Sequence, residues 1–95
     1  MGAILTGKGT INAIPQITQV FDGVLSDTDD IGNGRAAYLF KLKDKTNSGD
    51  VAIIPFGQTT SVVLPAATVD QDNILVKRVL STGTTILATD FYLAL

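Results

Sequence analysis

The chain has 95 residues, 45% of them apolar, with a net charge of −2, no Cys, His or Trp, and nine acids that are all Asp. That length makes one domain. The missing Cys, His and Glu exclude disulfides and thiolate metal sites and remove most of the usual acid–base and nucleophilic groups, so the sequence predicts no enzyme and no cofactor. Seven basic residues against nine acids leave no basic excess of the kind that marks a nucleic-acid-binding surface.

Twelve Thr, nine Ile and eight Val make β-branched side chains abundant. Their branched Cβ atoms suit a pleated strand and lose freedom on a helix, and the absence of Glu removes a strong helix former. The apolar runs are short and interrupted, so the sequence predicts no membrane span. The first residues carry no basic region followed by a long apolar stretch, so it predicts no secretory signal either.

Residues 2–10, GAILTGKGT, have the G-x-x-x-x-G-K-G-T spacing of a phosphate-binding loop, the string adenylate kinases carry. Such a loop works between a buried strand and a helix whose N-terminus cradles phosphate. Only Met1 precedes Gly2, and the following INAIPQ is β-branched and meets Pro15, so the stretch reads as a short strand and a GKG turn. Gly2 and Thr6 also fit the N-myristoylation pattern. One acyl chain attaches only marginally without a second signal, and Lys8 alone is no polybasic patch.

Residues 11–21, INAIPQITQVF, place Ile11, Ala13, Pro15, Ile17 and Phe21 on one face of a strand that Pro15 makes an edge or a bulge. Residues 26–34, SDTDDIGNG, form a polar loop. Asp27, Asp29 and Gly32 occupy the first, third and sixth positions of a calcium-binding EF-hand loop, but Ile31 and Tyr38 stand where further ligands belong. Two readings remain for the loop: a looser calcium site on Asp27, Asp29 and Asp30, or a solvated turn held by Asx hydrogen bonds. Asn33–Gly34 is a turn dipeptide and a place for deamidation.

Residues 36–44, AAYLFKLKD, alternate, with Tyr38, Phe40 and Leu42 inward and Leu39, Lys41 and Lys43 outward. Lys41, Lys43 and Lys45 recur at period two. They are either the wet face of a half-buried sheet or a basic stripe that protects an edge or meets an acidic partner. TNSG (46–49) is a hairpin loop in which Gly49 supplies a positive φ. DVAIIPF returns as a strand that Pro55 ends or places at an edge, and residues 59–65, TTSVVLP, are a further short strand.

ATVDQDN is a turn or a short helical turn. Residues 73–80, NILVKRVL, are the clearest later strand, with Arg78 on the face of Ile74, Val76 and Leu80. An Arg framed by aliphatic residues is either a subunit contact or a side chain that reaches past them to water. Residues 84–90, TTILATD, give another strand, with Asp90 as a turn or bulge residue. FYLAL (91–95) closes the chain with Phe91, Leu93 and Leu95 on one face and Tyr92 and Ala94 on the other. It is either an inner strand or a strand with one face against another subunit. Arg78, Phe91, Tyr92, Leu93 and Leu95 are therefore the interface candidates.

The pattern predicts an all-β fold: a small antiparallel β-sandwich or barrel of seven to eight short strands over residues 1–95. In composition and strand pattern the whole chain resembles small bacteriophage virion proteins of the head-decoration, cement or spike-base type. The resemblance carries no diagnostic motif and transfers no functional residue. It implies a β domain on the surface of a virion or other extracellular particle that forms a homo-oligomer, with a trimer favoured, and clamps a major capsid protein or other shell subunits without chemistry. The alternative is a small ligand- or carbohydrate-binding β-module, for which Tyr92 is the aromatic to test; Phe21, Tyr38, Phe40 and Phe56 read as core.

Overall fold

The structure, a computed structural model, describes residues 16–95. Six strands form one antiparallel sheet: β1 (Val20–Asp22), β2 (Tyr38–Leu42), β3 (Asp50–Pro55), β4 (Val62–Pro65), β5 (Leu75–Leu80) and β6 (Phe91–Ala94). Their order is β1-β6-β2-β5-β3-β4, and one helix, α1 (Ala66–Gln71), lies between β4 and β5 in the chain. The all-β antiparallel expectation holds. The strand number is six among the described residues, not seven to eight; the phosphate-loop and myristoylation matches and the Pro15 position lie outside those residues.

The alternation of β2 works as its residues dictate. Tyr38, Phe40 and Leu42 point into a core completed by Val51 and Ile53 of β3, Val76 and Val79 of β5, and Phe91 and Leu93 of β6. Ala66 and Val69 of α1 and Ile86 close that core from outside the sheet. Leu39 faces the other way, as its position in the alternation requires, yet it is also buried, next to Ala94 in register. FYLAL is an inner strand: β6 pairs with β1 on one side and β2 on the other. Its final residue joins the β1 side through Leu95 N–H to Gln19 O and Thr18 N–H to Leu95 O.

Two expectations about local structure are corrected. Residues 84–90 do not form a strand. Thr84 Oγ1 accepts the Ala52 N–H and donates to Leu80 O, while Asp50 N–H reaches Thr85 Oγ1. These hydroxyl bonds, with the single backbone bond from Thr85 N–H to Asp50 O, stand where a ladder would run, after which the chain makes a 3-10 turn over Ala88–Asp90, closed by Leu87 N–H on Asp90 Oδ2 at 2.8 Å. Gly49 does not have positive φ. It is glycine because a Cβ there would overlap Ile86 Cγ2 and crowd Thr85 Oγ1.

The register of β5 is the third correction. Ile54 pairs with Arg78 and Pro55 with Val76, so one residue is extra on β5. Pro55 has no N–H to continue the ladder, and the ladder resumes at Phe56 N–H on Leu75 O. The bulge turns Val79 into the core beside Val76, and Arg78 leaves the face predicted for it.

Candidate functional site

β2 and β5 pair over only two positions, Tyr38↔Val76 and Leu39↔Leu75. Past that point α1 packs against β2 instead, which brings Asp70 and Asn73 to Lys41. Asp70 is the one polar or charged residue among the buried described residues, at 5% exposure. Its carboxylate takes Lys45 Nζ on Oδ2 at 2.8 Å and Lys41 Nζ on Oδ1 at 3.3 Å. Lys41 Nζ also donates to Asp70 O at 3.1 Å and to Asn73 Oδ1 at 2.6 Å. Burial alone would push the Asp70 carboxyl up; hydrogen bonds from Lys45 and Lys41, with their charges, outweigh it and hold the group below the ordinary aspartate value.

The end of α1 places Asn73. Ile74 N–H reaches Val69 O and Asn73 N–H reaches Asp70 O, with Asn73 in the left-handed region at φ 52. This is a Schellman stop, and Ile74 packs against the core cluster to which Val69 belongs. Asn is among the few non-glycine residues that take this conformation readily.

Lys41 and Lys45, two of the three lysines read as a surface stripe, thus converge on one internal carboxylate. Lys43 is exposed. Nothing local in the sequence marks the cluster, because Lys41 and Lys45 lie 29 and 25 residues before Asp70. The one signal was an Asp in a segment of helical character next to apolar residues.

Arg78 forms a second polar centre. Its Nε donates to Asp30 Oδ1 at 2.8 Å and its Nη1 to Asp27 O at 3.2 Å. Asp27 in turn accepts the Ser81 and Thr82 N–H groups on Oδ1 and the Thr82 hydroxyl on Oδ2. The Thr82 backbone and side-chain bonds lower the Asp27 pKa. The loop 26–34 is therefore latched to β5 and the turn after it: Ser26 N–H also bonds Val79 O. Of the three calcium candidates, Asp27 and Asp30 have protein partners and Asp29 is exposed, and among the described residues no three acidic side chains gather as a metal site. A cleft of about 240 Å³ beside the latch is lined by Val24, Ser26, Asp29, Asp30, Ile31, Gly32 and Val79.

Phe91 and Leu93, offered above as interface residues, are fully buried in this chain's own core. Arg78, Tyr92 and Leu95 keep some surface. Exposed apolar side chains that the sequence reading placed in the core include Phe21 and Phe56, at 40% and 45% exposure. β4, an edge strand among the described residues, presents Val62 and Val63, the latter 55% exposed. No charged residue occurs between Asp50 and Asp70, so this edge and the loop before it are electrically neutral. Among the described residues no helix is long and apolar enough to cross a membrane.

No protein-family model matches the chain, and no curated protein or solved structure matches it.

Proposed function

We propose that this protein is a non-enzymatic assembly component that works by joining macromolecular surfaces. The observation that carries the reading is that β4 has no outer partner strand among the described residues. Sheet edges are commonly guarded by charge, by bulges or by a covering element, because their free backbone groups template further pairing. β4 has exposed valines, no charge, and a single proline at its far end. Two copies meeting there would bring no like charges together, and antiparallel pairing of β4 with its counterpart would extend the sheet from one chain into the next.

Within that role the finer reading is a virion or particle-surface component of the decoration, cement or spike-base type, a homo-oligomer that also contacts shell subunits. Its support is the resemblance in composition together with the scarcity of reactive side chains. Native mass measurement tests the reading: a discrete oligomer is expected for the natural chain, and Val63→Lys should dissociate it while leaving the circular-dichroism spectrum unchanged. A monomer at every concentration, with no retention on intact particles, overturns it.

One observation favours a ligand- or carbohydrate-binding module as second reading. Tyr92 stands in register between Asp22 and Lys41, an aromatic ring flanked by polar groups on adjacent strands. Glycan binding abolished by Tyr92→Ala would decide for it.

A further inference from the structure

We propose that Lys41 and Asn73 form an intramolecular isopeptide bond, with Asp70 as the proton-relaying catalytic residue. This goes beyond the assembly role and is independent of it.

The amine that such a bond needs already touches the other two groups: Lys41 Nζ is 2.6 Å from the carboxamide Asn73 Oδ1 and 3.3 Å from the carboxyl Asp70 Oδ1. The amide carbon lies one carbonyl bond, about 1.2 Å, from that oxygen, so the nucleophile sits at the edge of attack distance. Lys41 and Asp70 are held from outside the triad, and Asn73, which is exposed, through its backbone. Lys41 is on the central strand β2, and Asp70 is buried with Oδ2 fixed by Lys45. Asn73 has its backbone set by the helix stop. Lys41 Nζ is also tied to Asp70 O, the same carbonyl that receives the Asn73 backbone N–H, so the amine and the Asn73 backbone share one anchor.

The chemistry balances without any added reagent. The first step is uphill, because Lys45 and Lys41 favour the carboxylate: the Lys41 ammonium passes a proton to Asp70 Oδ1, leaving a neutral amine and a carboxylic acid. The amine lone pair adds to Asn73 Cγ, forming the new C–N bond and moving the carbonyl electron pair onto Oδ1. Asp70 gives its proton to Asn73 Nδ2; the tetrahedral adduct collapses, the Cγ–Nδ2 bond breaks and ammonia departs. The adduct nitrogen then loses its second proton through Asp70 to the departing ammonia. One ammonium and one amide enter; one secondary amide and one ammonium ion leave; Asp70 ends as the carboxylate it began as. The product closes a loop between residues 32 apart and joins β2 to the α1–β5 corner in a chain that has no cysteine for the purpose.

The test is mass spectrometry of the purified full chain. Condensation removes one ammonia, about 17 Da, from the denatured mass. Trypsin should then fail to cut at Lys41 and release a branched peptide in which residues 36–43 are joined to 46–77. Asn73→Gly preserves the left-handed helix stop and should restore the full mass, as should Lys41→Arg. A full mass and normal cleavage at Lys41 in the natural chain, after days at neutral and alkaline pH, overturn the proposal. So does an ammonia loss that maps to Asn33–Gly34, where succinimide formation removes the same mass. A folded Asp70→Ala variant that still cross-links at the natural rate would remove Asp70 from the mechanism.

Discussion

The rings of Phe40 and Phe91 stack with centroids 4.7 Å apart and an interplanar angle of 29°, joining the central strand β2 to the C-terminal strand β6. Both side chains are fully buried. Phe91→Ala should destabilise the protein by about 3–5 kcal/mol in denaturant unfolding, the range for loss of a buried aromatic. Val20→Ala, at a position 64% exposed, should change stability by no more than about 0.5 kcal/mol. Equal effects would contradict the placement of β6 in the interior.

Asp70→Ala removes the shared acceptor of Lys41 and Lys45. The expected cost is about 1–3 kcal/mol, less than the 3–5 kcal/mol typical of a fully buried pair, because Lys45 is 62% exposed and can return to water. Lys41 is only 18% exposed and has fewer alternatives. Lys41→Met should therefore cost more than Lys45→Met when both are compared by chemical melts.

Asp27, Asp44 and Asp70 all have lowered pKa values, through bonds from Thr82, through bonds from Thr46, and through Lys45 and Lys41 overriding burial, respectively. A carboxylate with a folded pKa below its unfolded value stabilises the fold fully above the unfolded value and loses that contribution as pH falls through the folded one. The melting temperature should be flat from neutral pH down to about 5 and fall steadily below about 4. Asp27→Asn should lower the neutral-pH plateau and make the acid limb shallower. A melting temperature that rises on acidification would refute the assignment.

Gly49→Ala should destabilise by about 1–3 kcal/mol through overlap with Ile86 and not through backbone strain. The mechanism predicts coupling: in a double-mutant cycle, Gly49→Ala combined with Ile86→Ala should cost less than the sum of the two. Gly57→Ala meets no neighbour but sits at φ 91, so its cost should be about 1 kcal/mol and independent of Ile86.

Arg78→Lys keeps the charge but cannot reach Asp30 Oδ1 and Asp27 O from two separate nitrogens as the guanidinium does. It should loosen the 26–34 loop, seen as faster amide exchange at Ser26 and Ser81, with the core amides of β2 unchanged. Unchanged exchange at Ser26 would show that Arg78 is not the latch.

Much of the fold was legible along the chain. Tyr38, Phe40 and Leu42 alternate with Lys41 and Lys43, and the strand they predict forms with those residues inward. ATVDQDN reads as a turn or a short helical turn, and the helical alternative forms, as α1 over Ala66–Gln71. The misreadings have separate causes. Period-two counting assigned Arg78 to a face, and the bulge opposite Pro55 shifted it. TTILATD has strand composition, but the Thr84 and Thr85 hydroxyls hold their neighbours' backbone groups and the ladder stops. Gly49 read as a φ requirement and is a contact requirement.

By itself the sequence determined that this is a cysteine-free, β-branched, antiparallel domain, because side-chain shape and alternation act within a few residues of each other. Only the tertiary structure decided that Asp70 gathers Lys41, Lys45 and Asn73, that Asp27 and Asp30 serve β5 and its turn, and that Phe91 and Leu93 belong to this chain's own core. Those pairings span tens of residues, and a charge meets its partner through strand order and register, which no local pattern encodes.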